Sequence, residues 1–474
     1  MARMSLPRLC LSFLATVLCL HAGAPPPNVL FIFADDQRAD TIAALGNPVI
    51  KTPNLDRLVA RGVAFERAYM QGGNQGATCV PSRAMLLSAR SLPRIDEKLT
   101  RDETWPHAFG AAGYATFMAG KWHNGPASVG RSFQQARSLF VGGMTNPLKA
   151  KINDLLPSGK LGPERACPKH LCAEATDEVL TFLRERDPAK PFFAYLAFDG
   201  PHDPHVVPED FPLKYDPAKL PLPANFLPRH PFNNGEMVIR DEQLLPWPRT
   251  PAAIQAMLAD YYRYISYLDL QIGRVLDALE ASPAGRNTFV VFAADSGVAR
   301  GSHGLIGKQN LYEHSLRVPL IFTGPGMPAG RRTAALCYTY DVMPTLGKLC
   351  GVPAPATSDG QELTAVLADP SRAARTELVF GYKRVQKAVT DGRWKLIRYP
   401  QVDRTQLFDL QTDPSETKDL AAEPDQAARV KELLLRLEAG LRACGDADPL
   451  TAKSIQPAEW TPPKKLPQPG EKGF

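Results

Sequence analysis

The chain has no apolar run long enough to cross a bilayer. Leu9 to Leu20 is the nearest approach, it falls short of a membrane helix, and no second run comes close. That excludes a helical membrane protein and predicts a soluble mature chain. There is no internal repeat and no Lys/Arg block interleaved with aromatics, so nothing points to nucleic acid. The formal net charge of +6 drops to +4 once Arg3 and Arg8 are set aside, a mild bias that permits an anionic substrate. Histidines number nine and are scattered, which argues against zinc. Cysteine is sparse too, at eight.

Proline, by contrast, is plentiful. Its 45 residues are about twice the usual share and imply many irregular surface loops. Apolar and charged contents of 44% and 22% are ordinary for a globular protein, and 474 residues suffice for two lobes around a large core. Residues 1–24 read as a secretory signal: Arg3 and Arg8, the apolar stretch, then Ala22-Gly23-Ala24 as a cleavage site. No lipid-attachment box precedes Cys19, so the reading is a secreted or periplasmic protein. Export permits disulfides. With Cys10 and Cys19 in the signal and Cys79 set apart, Cys167/Cys172 and Cys337/Cys350 are the local pairs to test, with one cysteine left over.

Four apolar runs end in residues fit for chemistry. Asn28 to Ala34 meets Asp35 and Asp36, and Ala115 to Ala119 leads to Gly120, Lys121 and His123. Phe192 to Phe198 runs into Asp199, His202, Asp203 and His205, and Asn287 to Ala294 delivers Asp295 and Ser296. Short continuous apolar runs suit strands covered on both faces. Helical patterns alternate with them at 54–61, at 174–186 and in a long stretch opened by Thr250-Pro251. The fold class is therefore α/β, a doubly wound, mostly parallel sheet, whose sites lie outside the strands' carboxyl ends. Acids without Cys or His clusters suit a hard cation, Ca²⁺ or Mg²⁺. Lys308 lies in a glycine-rich loop before a further strand, Arg317 to Phe322.

After about residue 370 the rhythm changes. Runs at 378–382, 386–390, 394–399 and 406–410, separated by turn residues, predict an antiparallel meander, followed by an amphipathic helix over 425–441. The organisation reads as signal 1–24, catalytic domain 25–370, an α+β subdomain 371–456 and a Pro/Lys-rich tail 457–474 too poor in apolar residues to fold alone.

The densest local pattern is Cys79-Val-Pro-Ser-Arg-Ala-Met-Leu-Leu-Ser-Ala-Arg90. Pro81 and Ser82 suit a first helical turn, Arg83 lies one turn beyond Cys79, and orphan N–H groups at such an end favour an anion. The stretch resembles the sulfatase signature Cys-x-Pro-Ser-Arg-x-x-x-Leu-Thr-Gly-Arg, with Ser88 and Ala89 in place of Thr and Gly. The segments 34–40, 120–124, 201–205, 307–308 and 317–319 are similar to that family as well, in its order. The resemblance implies an alkaline-phosphatase-like fold and oxidation of Cys79 to formylglycine by a maturation enzyme. It further implies Asp35, Asp36, Asp295 and the residue at 79 around one divalent metal, with Arg83, Lys121, His123, His202 and Lys308 serving the sulfate, the nucleophile or the leaving group. Ser296 stands where the family has an Asn or His ligand. The expected substrate is a small-molecule or glycan sulfate ester, with a sugar sulfate favoured. The alternatives are a phosphonate monoester or phosphodiester hydrolase, or a sulfated-glycan-binding protein without turnover.

Overall fold

The computed structural model describes residues 25–463, so the signal reading at 1–24 and the end of the tail lie outside the described residues. Four parallel strands form the centre of a nine-stranded sheet. In spatial order they are Thr288–Ala294, Asn28–Ala34, Phe192–Ala197 and Ala115–Lys121. Gln135–Phe140 continues the parallel arrangement at one side. At the other, Arg317–Thr323 runs antiparallel to Thr288–Ala294 and to Val63–Tyr69. The short strands Arg331–Thr333 and Cys337–Tyr338 finish that edge.

The continuous apolar runs have a simple cause. Val29, Phe31 and Phe33 face one core with Phe193, Tyr195, Trp105 and Leu346, whereas Leu30 and Ile32 face another with Leu196, Phe292, Leu268 and Ile272. Both faces of each central strand are covered by helices, so neither register tolerates a polar residue until the strand ends. The long helix is Pro251–Ala281, and Thr250 caps it by accepting from the Ala253 N–H. Its Asp269 accepts from the Asn54 and Leu55 N–H groups, fixing the mouth of helix Pro53–Arg61. Among the described residues no helix is long and apolar enough to cross a membrane.

The second sheet is the antiparallel meander Leu378–Tyr382, Gln386–Thr390, Trp394–Tyr399 and Arg404–Asp409. Helix Ala427–Cys444 packs Leu433, Leu437 and Leu441 on one face, and Phe380, Ile397 and Phe408 turn toward Tyr69 and Tyr312 on the other. The fifth strand of this sheet comes from far earlier in the chain: Gly72–Gly73 pairs in parallel with Leu378–Tyr382. A Cβ on Gly72 would sit 1.9 Å from the Gly381 carbonyl oxygen, so this approach requires glycine. Within the tail segment, Trp460 stacks edge-on with Trp247 and the Ala458 carbonyl accepts from the Asn233 N–H.

The cysteine pairing expected from the sequence is not formed. Cys79, Cys167, Cys172, Cys337, Cys350 and Cys444 are all free. The Cys167 thiol donates to the Lys169 carbonyl and the Cys172 thiol to Asp199, so the two sulfurs serve different partners. Cys337 lies on the sheet edge and Cys350 at the far end of helix Val342–Cys350, against the Pro27 carbonyl.

Candidate active site

Parallel neighbours end together, and the side chains just beyond their ends meet. The Asp35 N–H donates to the Gly200 carbonyl and the Asp295 N–H to that of Ala34, which staples the ends of three strands. Lys121 is the last residue of its own strand, two residues beyond the predicted end at Ala119, and is fully buried with Nζ 2.6 Å from Asp35 Oδ2. Asp36 takes a left-handed conformation, φ 62°, held by the Tyr261 hydroxyl donating to its carbonyl at 2.7 Å.

Helix Cys79–Ser88 points its first turn into this gathering. The Ser82 hydroxyl donates to the Asp295 carbonyl at 2.6 Å. Arg83 does not line the cavity: its Nη2 pairs with Asp35 Oδ2 at 2.8 Å and its Nε with Asp295 Oδ2 at 3.0 Å, from beneath. Asn124 binds the Val80 and Glu97 carbonyls, joining the helix mouth to the loop that carries His123. His123 Nδ1 is 3.0 Å from Cys79 Sγ. Burial and the Lys121 charge hold this imidazole neutral, down to about 2. Burial pushes the Cys79 thiol up to about 11, so an unmodified sulfur here is protonated at neutral pH and a weak nucleophile.

Lys308 Nζ donates to Asp36 Oδ1 at 2.6 Å, and that carboxylate keeps the ammonium charged despite its burial. The Ser296 hydroxyl donates to the same oxygen at 2.8 Å. His202 Nε2 stands 3.6 Å from Asp36 Oδ2. Cys79, His123, His202 and Lys308 thus face one cavity of about 280 Å³, whose rim is formed by Met144, Ile239 and Arg240.

The donor set fits a hard divalent cation. Asp35 Oδ1 is buried with no hydrogen-bond partner, and ligand atoms of Asp35, Cys79 and Asp295, and again of Asp35, Asp36 and His202, lie within 4.8 Å of one another. Burial and the Asp35 charge push the Asp295 carboxyl upward, a crowding that a cation relieves. Sequence reasoning named Asp35, Asp36, Cys79, Arg83, Lys121, His123, His202, Asp295, Ser296 and Lys308, and the structure gathers all ten. It passed over Ser82, Tyr261, Asn124 and the Arg240–Leu244 turn, which carries no strand or helix periodicity to mark it.

The sulfatase family model matches residues 27–352, and the model for the C-terminal part of N-sulphoglucosamine sulphohydrolase matches 301–442. An N-acetylglucosamine-6-O-sulfatase of Bacteroides thetaiotaomicron is 25% identical over 501 residues, covering 89% of this chain and 88% of its own. An arylsulfatase of Clostridium perfringens is 28% identical over 455 residues, covering 86% and 92%. Among solved structures, a protein in complex with its substrate D-glucosamine-2-N,6-O-disulfate superposes with a TM-score of 0.74 at 22% identity, covering 90% of this chain and 99% of its own. That last likeness bears on the fold. Together with the family match over the strands and loops that build the site, it leads to one conclusion: the chain belongs to the sulfatase family and is a sulfuric ester hydrolase of alkaline-phosphatase-like fold.

Proposed function

We propose that this protein is an exported sulfatase that hydrolyses a sulfate monoester on a carbohydrate, through formylglycine made from Cys79 by a maturation enzyme and one Ca²⁺ or Mg²⁺. The observation that carries the reading is that the residue at 79, His123, His202 and Lys308 face one cavity, with Asp35, Asp36, Asp295 and Lys121 clustered against them. The carbohydrate preference is supported by what the relatives are named for, a 6-O-sulfated N-acetylglucosamine among them.

In this proposal Asp35, Asp36 and Asp295 hold the metal, with Ser296 as a ligand or as the brace of Asp36. When bound, the cation supplies charge that lowers the pKa of the nucleophilic hydroxyl and draws density from the ester oxygens. The hydrated aldehyde supplies two hydroxyls on one carbon, one for attack on sulfur and one whose deprotonation releases sulfate. Charge favours an anion. Three carboxylates balance Arg83, Lys121 and Lys308, so a divalent cation leaves the cluster net positive toward a sulfate ester. Arg83 fixes the carboxylates, and Lys121 and Lys308 hold sulfate oxygens. His123, neutral beside position 79, accepts a proton there, and His202 serves the leaving oxygen.

The test is turnover by purified, matured protein of 4-nitrophenyl sulfate, choline sulfate and a panel of sulfated mono- and oligosaccharides, beside aryl phosphonate and phosphodiester. Sulfate release strongest from a sugar supports the proposal. Preferential cleavage of the phosphorus esters replaces it with the phosphonate or phosphodiester reading, and binding of sulfated glycans without release by matured protein replaces it with the non-catalytic one.

A further inference from the structure

The Arg240–Leu244 turn brings Arg240 and Asp241 to the cavity wall, with Glu242 buried behind them. Buried Glu242 accepts from the Ile306 and Gly307 N–H groups at 3.0 and 2.8 Å, with Arg249 Nη2 behind it at 2.8 Å. Asp241 accepts from Gln309 Nε2 at 2.7 Å. These contacts anchor the turn to the loop that carries Lys308. Arg240 reaches across the mouth: Nη1 donates to Asp203 Oδ1 at 3.0 Å while Nη2 closes on Oδ2, a two-point guanidinium–carboxylate pair.

Asp203 in turn faces His202. Its carbonyl oxygen is 2.7 Å and its Oδ1 3.5 Å from His202 Nδ1. With Nδ1 engaged on that side, Nε2 is the nitrogen presented to the cavity, beside Asp36. A carbonyl and a carboxylate behind one imidazole nitrogen fix the ring and so aim the other nitrogen.

We propose that Asp203, locked by Arg240, is a positioning residue that aims His202 at the leaving oxygen, and that this device suits the enzyme to sulfate esters of aliphatic alcohols rather than phenols. The inference rests on the reading of His202 given above. The ester S–O bond breaks with its electron pair passing to oxygen, which takes the Nε2 proton. A free alcohol and a neutral imidazole result, and the sulfuryl group stays on the nucleophile. A phenolate, with a conjugate acid near pKa 10 as in tyrosine, departs with little help, whereas an alkoxide, closer to water at about 15.7, needs the proton as it leaves. If Asp203 merely stapled its loop, its loss would slow every ester alike.

The experiment compares wild type, Asp203→Asn and Arg240→Gln on 4-nitrophenyl sulfate, phenyl sulfate and N-acetylglucosamine 6-sulfate. Asp203→Asn should lower kcat by about tenfold or more on the sugar ester, by less on phenyl sulfate and by no more than about threefold on 4-nitrophenyl sulfate, with KM little changed. Arg240→Gln should follow the same order more weakly. Its side chain is 27% exposed at the rim, so loss of folding does not confuse the result. An equal slowing on all three esters, or none, overturns the positioning role while leaving the sulfatase reading intact. A wild type inert toward all three defeats the reading of the site itself, and this inference with it.

Discussion

A thiol at position 79 is poorly placed to act as it stands. It is buried, raised to about 11, and sits beside an imidazole held neutral, so the native sulfur is neither ionised nor readily made so. The proposed conversion to an aldehyde would resolve this, and it is directly measurable. The tryptic peptide Ala68 to Arg83 from active protein should be lighter by the thiol-to-formylglycine difference and should react with a hydrazide. A fully alkylatable Cys79 in active enzyme would contradict the mechanism. The second expectation concerns Asp295, whose Oδ1 accepts from the Asp36 N–H and whose Oδ2 accepts from Arg83. Asp295→Ala should lose both the metal, measured by elemental analysis of the dialysed protein, and turnover by at least about a hundredfold. Chelation of the wild type should abolish activity reversibly, with Ca²⁺ or Mg²⁺ restoring it. Retained metal in the variant would remove Asp295 from the ligand set.

Helices and strands show why part of this was legible in advance. Asn28–Ala34 was readable to the residue because both faces are buried and the first polar residues are the functional ones. Val63–Tyr69 was missed because Glu66 and Arg67 interrupt its apolar pattern where the strand meets solvent. The Gly72–Gly73 pairing depends on a contact about 300 residues away in sequence that no local pattern encodes. Cysteine spacing misled because proximity along the chain says nothing of thiol direction. Motif departures now have physical content as well. Ala89, where the family signature has glycine, closes helix Cys79–Ser88 at φ 52° and ψ 39°. A left-handed alanine costs about 1–2 kcal/mol, while its buried methyl returns about 0.8 kcal/mol. Ala89→Gly should therefore stabilise the protein by up to about 1 kcal/mol in urea titration, with kcat unchanged. A loss of stability would show that the methyl's packing outweighs the strain.

At the scale of the whole molecule, a buried ammonium is one of the links between the two sheets. Lys395, from the C-terminal strand Trp394–Tyr399, lies 2.9 Å from Glu313 Oε1 and 2.8 Å from Glu416 Oε1 and is fully buried. Glu313 also accepts from the Tyr69 hydroxyl at the end of Val63–Tyr69, and Glu416 accepts from the Glu313 N–H. Two carboxylates share one cation, so burial and the charge of Glu313 push Glu416 upward while Lys395 holds Glu313 down. Lys395→Met leaves both acids buried without a counter-ion and should cost about 3–5 kcal/mol at neutral pH. A carboxyl raised in the folded state contributes stability that is fully present below its unfolded value, near 4.3, and is lost as pH rises through the folded value. In the variant the pair must take up a proton between them, so its deficit should shrink as pH falls from about 8 toward 5. Urea unfolding of both proteins at the two ends of that range decides the matter. The expected result is a gap clearly smaller at the acid end, accompanied by weaker sulfate release near neutrality, because Glu313 begins the segment that follows the Lys308 loop. A gap of constant size would mean that the carboxylates reach solvent once the lysine is gone.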